Sequence, residues 1–283
     1  MINNFELDTL AIDNFRKVKL WLLIPPFLLL ISFFLFFSFS KGTNFVDEYV
    51  ESQKTLFYFL NSNLSEYPNL QFNLTQLGDA LILYPLVIIF LFYAPRLWQA
   101  LLTSSIITLI VSAVLKNIFA VPRPAAMFDN DSFVIVGKTL SGHTSLPSGH
   151  SMTAIMTITI LLYAFMPKKN FHKIAWSLLL LALGLLITFS RVGVGAHYPF
   201  DVIIGGTIGY LAAIIGIKLN KNVGWLNWIK NKRFYPIFML ILLIWAFLIV
   251  KKIVALNLPI FYLSLLSLVI TFFIITNAYV KRN

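Results

Sequence analysis

The chain has 283 residues, 59% of them hydrophobic and only 12% charged, with a formal charge of +11. Soluble domains carry about a quarter of their residues as charges, so a water-soluble globular domain is excluded. The basic residues sit in short loops between apolar runs, which favours a lipid surface over nucleic acid as partner, and the absence of cysteine removes disulfides and thiolate-bound metals.

A membrane crossing needs about 20 apolar residues. Eight candidate spans follow along the chain, at residues 20–39, 77–93, 97–115, 152–166, 174–190, 202–217, 236–250 and 258–279. The fourth is short and the seventh is weak. The expected fold class is an all-α membrane protein, with a six-helix core and two extra C-terminal transmembrane helices. Residues 1–76 read as a charged leader, a first span and an extracytoplasmic amphipathic segment, residues 77–219 as the core, and residues 220–283 as a two-span extension. No small-residue cleavage site follows the first span, which is expected to be an uncleaved anchor kinked at Pro25-Pro26. The segment 42–76 is polar; its part 45–60 mixes charges and aromatics as an interfacial helix does, and serves equally well as a cap over a site or as a linker.

Lysine and arginine set orientation, because positive loops stay in the cytoplasm. With the N-terminus inside, fourteen basic residues fall inside and eight outside, and Lys116, Arg123 and Arg191 are among the eight. Both termini are then cytoplasmic. Three chemistry-bearing segments then meet at one face, the outer one: Lys116 with Arg123-Pro124, then Pro147-Ser148-Gly149-His150, then Ser190-Arg191 with His197 and Asp201.

Cleaving a phosphate ester requires cations on the equatorial oxygens, an in-line nucleophile and a proton for the leaving oxygen. Arg123 and Arg191 offer planar forks, and Lys116 a point charge. Taken singly, each reads first as a snorkelling residue at an interface, although prolines on both sides of Arg123 fix its backbone. Ser148 suits a helix N-cap and Gly149 permits close approach, so the helix start is an anion site beside His150, which is placed to protonate a leaving oxygen. His197 and Asp201 are four apart at a helix start; they form a nucleophile with its orienting carboxylate, a structural hydrogen bond or part of a proton relay. His143 and His172 complete the four histidines, and no close-spaced ligand pair among them invites a metal. No metal and no cofactor are expected.

These eleven motif residues resemble the pattern of the phosphatidic acid phosphatase type 2 superfamily, which also includes haloperoxidases and bacterial acid phosphatases, with every fixed position matched across about residues 80–217. The resemblance implies a metal-free phosphohistidine mechanism. His197 would attack phosphorus, Asp201 would orient it and His150 would protonate the leaving group. Lys116, Arg123, Ser148, Gly149, His150 and Arg191 would hold the phosphate. It also implies a six-helix core and an extracytoplasmic site. Members act on lipid A, undecaprenyl diphosphate, phosphatidylglycerol phosphate or phosphatidic acid, so the expected partner is a phosphorylated membrane lipid and the expected location a bacterial inner membrane. His143 lies outside the pattern, as a second-rank residue near the site. The alternatives are a phosphotransferase and a lipid or phosphate transporter that uses the same cations for binding only.

Overall fold

The computed structural model describes residues 6–39 and 44–281, and among these the chain is all α. Helix α1 (Glu6–Lys17) leads through a 3-10 turn, Leu20–Leu23, into α2 (Ile24–Phe39); α3 (Phe45–Leu64) and α4 (Pro68–Gln76) follow. Next come α5 (Ala80–Val87), α6 (Phe90–Tyr93), α7 (Pro95–Phe119) and the short α8 (Pro124–Met127). The rest is α9 (Gly149–Ala164), α10 (Asn170–Gly193), α11 (Pro199–Leu219), α12 (Tyr235–Leu256) and α13 (Pro259–Val280). Among the described residues, six stretches are long and apolar enough to cross a membrane: Leu20–Phe37, Pro95–Met127, Asn170–Gly193, Pro199–Leu219, Lys232–Leu256 and Pro259–Val280. Their outward sides carry exposed Leu, Ile, Val and Phe, as lipid contact requires, and the protein is an integral membrane protein. Lys41 and Arg282, which enter the loop-charge count, lie outside the described residues.

The two remaining expected spans are of another kind. The fourth is α9, an apolar helix of 16 residues. The second is broken into α5 and α6, with Pro85 inside α5. Proline has no N–H to give to the carbonyl four residues back, which here is Leu81. In hydrocarbon that carbonyl needs another donor, and Trp245 of α12 supplies one at 2.9 Å. Ser264 of α13 bonds Ile82 O at 2.9 Å, and Lys252 of α12 meets Asp79 at 2.9 Å. The C-terminal helix pair therefore braces the broken segment. Pro25 and Pro26 stand in the first turn of α2, where no intrahelical N–H is lost, so they mark the entry from the 3-10 turn instead of kinking a continuous span.

At the centre, α11 packs most extensively on α9, then on α7, while α10 flanks α9. Glycines make the close approach possible. A Cβ at Gly205 would stand 2.6 Å from Ser148 O, and one at Gly209 would overlap Met152 O. Small residues one turn apart let two membrane helices touch backbone to backbone.

Candidate active site

The three motif segments converge at one end of this bundle. Lys116 lies in the last turn of α7, which stops at Ala120 in the left-handed region (φ 44°). The loop then returns along itself: Arg123 N bonds Gly142 O at 2.9 Å and Ser145 N bonds Val121 O at 2.9 Å. This brings Pro147-Ser148 to the start of α9, where Ser148 N reaches Asp201 O at 3.1 Å. Ser148 caps α9, its Oγ accepting from Ser151 N and from Ser151 Oγ. Its own O–H remains for another acceptor. The position of a Cβ on Gly149 lies 3.7 Å from Lys116 Nζ, so the bare helix start faces the ammonium. His150 follows, with Gly78 against its Cβ, and is within electrostatic reach of Arg191, His197 and Arg123.

Arg191 ends α10, 6% exposed, its Nη1 donating to Thr75 of α4 at 2.6 Å. Its Nε is buried and has no partner among the described residues. An orphaned guanidinium N–H in a dry site is a donor awaiting an anion. The chain then turns at Gly195 (φ 73°) and carries His197 beneath Arg123.

His197 is 1% exposed. Its Nε2 stands 3.2 Å from Arg123 Nη1, and that nitrogen also donates to Ala196 O at 3.1 Å. A guanidinium only donates, so Nε2 carries a lone pair and the ring proton sits on Nδ1. Nδ1 faces Asp201 Oδ2 at 3.2 Å. Burial holds the imidazole well below its ordinary pKa, and the charges of Arg123, Arg191 and Lys116 act in the same direction. Asp201 is wholly buried, but four donors surround it. Tyr49 gives to Oδ1 at 2.6 Å; Ser145 at 2.5 Å, Tyr198 N at 2.9 Å and His197 give to Oδ2. Such saturation compensates the burial of a charge. Burial, then the Asp201 carboxylate, pushes the Tyr49 hydroxyl well above the usual phenol range, so it remains a donor.

The eight sequence-derived residues, Lys116, Arg123, Ser148, Gly149, His150, Arg191, His197 and Asp201, therefore lie near one another at one end of the bundle. His143 is exposed, and it is its neighbour Gly142 that serves the site, by anchoring Arg123 N. His172 is exposed at the start of α10, at the helix end opposite Arg191. No group of three His, Asp or Glu able to hold a metal exists among the described residues.

Residues 96–225 match the PAP2 superfamily. The chain carries a PAP2 domain. An undecaprenyl-diphosphatase of Sulfolobus acidocaldarius is 26% identical over 210 residues, covering 73% of this chain and 93% of that protein. Phosphatidylglycerophosphatase B of Bacillus subtilis is 28% identical over 148 residues, covering 49% of this chain and 68% of that protein. Among solved structures, that of Aquifex aeolicus LpxE aligns with 59% of this chain and 94% of its own, at 25% identity and a TM-score of 0.49.

The PAP2 domain holds all three motif segments, but the site also draws on residues outside it. Tyr49 and Thr75 come from α3 and α4. One stripe of α3 at i, i+4 spacing, Tyr49, Gln53, Phe57 and Asn61, is buried against the domain. Gln53 caps α11 by accepting from Phe200 N at 2.8 Å, and Asn61 ties Val134 to Val192, each carbonyl accepting at 3.0 Å. The segment read as a cap or a linker is thus a brace for the catalytic end. Ser145 had a sequence signal, its place two residues ahead of Pro147. Tyr49 had none, because its stripe mixes aromatic and polar residues.

Proposed function

We propose that the protein is a metal-independent membrane lipid phosphatase working through a phosphohistidine at His197. The observation that carries the reading is the His197 ring: Nδ1–H held by a saturated Asp201, Nε2 left as a lone pair among Arg123, Arg191 and Lys116. The PAP2 match and the two phosphatase relatives support it. The phosphoryl oxygens take the Arg191 Nε–H, the Arg123 fork, Lys116 and the free N–H groups at the start of α9. The Nε2 lone pair forms a P–N bond as the P–O bond to the leaving alcohol breaks, and the His150 imidazolium gives its proton to that oxygen. Neutral His150 then takes a proton from water, the water oxygen bonds to phosphorus, and the P–N bond breaks to release phosphate and restore His197.

The excess of basic loops on the opposite side supports an extracytoplasmic site in a bacterial inner membrane. Lipid A, undecaprenyl diphosphate, phosphatidylglycerol phosphate and phosphatidic acid are the substrate candidates. The test is phosphate release by the purified chain from these four lipids, with His197→Ala alongside. Release from at least one lipid, abolished in a folded His197→Ala protein, is the expected result; wild-type rates in that variant would remove the nucleophile.

A further inference from the structure

A cleft of about 360 Å³ opens between α5, α7 and α9. Gly149 and His150 are in its wall, while His197 and Arg123 are not. In-line attack puts the leaving oxygen opposite the nucleophile, on the side of the group that protonates it. If His150 is that group, this cleft is where the leaving alcohol lies.

Several polar side chains line an otherwise largely apolar wall. Ser105, Thr108 and Ser112 recur at i, i+3 and i+7 on α7, a face that continues to Lys116 over about 16 Å of helix. Their hydrogen bonds show what that face offers. Ser105 gives its proton to Leu101 O at 2.7 Å, Thr108 to Ser105 O at 2.9 Å, and Thr153 of α9 to Gly149 O at 3.1 Å. Because the Ser105 proton is committed, Tyr84, 2.5 Å away, is the donor to it. Each of these oxygens is left with lone pairs only. Asp79 adds a carboxylate, already held by Leu81 N at 2.9 Å and by Lys252. Of the wall's hydroxyls only Ser112 has no hydrogen-bond partner among the described residues and can give or accept. Its hydroxyl and carboxylate oxygens offer mostly lone pairs, His150 is its ionisable donor, and no lysine or arginine is among its lining residues.

We propose that this cleft is the leaving-group subsite of the phosphatase reaction, on whose assignment the inference rests. It selects lipids whose leaving alcohol carries O–H or N–H donors beside the scissile oxygen: a polyol or an acylamino sugar. Such donors meet the lone pairs of Thr108, Thr153, Tyr84 and Asp79. A glycerolipid with only ester oxygens there brings acceptors to acceptors and leaves both desolvated. A polyprenyl diphosphate brings no such donors either, since its leaving group is itself a phosphate whose oxygens only accept.

The full chain in detergent micelles is assayed on four lipids: phosphatidylglycerol phosphate, a phosphorylated N-acyl glucosamine lipid, phosphatidic acid and a polyprenyl diphosphate. Either donor-bearing lipid should exceed both others in kcat/KM by about tenfold or more, the worth of one or two hydrogen bonds. Whichever leads distinguishes polyol from sugar. In the Ser112→Ala/Thr108→Val protein that advantage should shrink to about threefold or less, as bonds are lost from the wall. Phosphatidic acid or polyprenyl diphosphate cleaved as well as the donor-bearing lipids overturns the inference and leaves the phosphatase reading standing. An advantage unchanged in the folded double variant does the same. Release from none of the four overturns both. Should the double variant fail to fold, the wild-type panel decides alone.

Discussion

Adding one methyl group to either of two adjacent glycines of α11 separates the packing role of this helix from its backbone preference. A Cβ on Gly205 would lie 2.6 Å from Ser148 O and 3.2 Å from Ser148 N, whereas ordinary contact begins at 3.4 Å. The shortfall, 3.4 − 2.6 = 0.8 Å, is against backbone and has to be met by moving the start of α9. That start carries Gly149 and His150, and the Ser148 N–Asp201 O bond of 3.1 Å opens with it. A misplacement near 1 Å costs catalysis about 100-fold. A Cβ on Gly206 would meet Ile155 Cγ1 at 3.2 Å, a shortfall of a few tenths of an ångström against a side chain and not against backbone. Both substitutions gain about the same helix propensity, roughly 1 kcal/mol. Gly205→Ala should therefore lower kcat/KM for lipid phosphate by about 100-fold, while Gly206→Ala stays within about threefold of wild type. Phosphate release measures the rates, and unfolding by SDS titration in mixed micelles confirms folded protein. Equal rates in the two variants, or wild-type turnover in Gly205→Ala, would refute the argument that backbone contact sets the position of His150.

Tyr49→Phe removes one of four donors to a buried carboxylate, a charged hydrogen bond of about 1.5–3 kcal/mol; the same SDS titration should show a loss of that order, and unchanged stability would mean that Asp201 does not depend on α3. His197 has its folded pKa held below its unfolded value. Its contribution to stability is thus complete above about pH 6.5 and falls away as pH drops through that value, where only the unfolded chain takes up the proton. A ¹⁵N-imidazole titration in phosphate-free detergent should place its midpoint below pH 6.5, and one at or above that value contradicts the buried neutral ring. EDTA should leave turnover unchanged, and strong inhibition would favour a metal enzyme. Vanadate should inhibit by adopting the five-coordinate geometry of phosphorus in transfer, and indifference to it would count against the phosphohistidine.

How legible each part of the protein was depends on whether its signal is local. The motif residues announce themselves because each needs a particular chemistry at a particular helix end: Ser148 caps, Gly149 clears space, Pro199 starts α11 two residues past His197. The long spans were readable from uninterrupted apolar runs, and α10 and α11 extend only a few residues beyond them. The second span was only partly readable: Pro85 marks a weak point in its apolar run, but nothing there shows that the helix ends at Val87 or that Trp245, 160 positions downstream, takes over the freed carbonyl. Tyr49 was hidden for the related reason that a buried polar residue looks like a surface one until its partner is known. The hydroxyls of α7 read as scattered Ser and Thr along the chain; only helical phase gathers them into one wall.

The contact between Arg123 and His197 has a consequence for how the empty enzyme meets its lipid. The nitrogen proposed to attack is already engaged, and by a cation. On that proposal an incoming phosphoryl group would enter by exchanging partners: the guanidinium would pass from nitrogen to oxygen and uncover the lone pair. The reactive atom would be sheathed between turnovers, and stray electrophiles without negative charge would have nothing with which to draw the sheath aside.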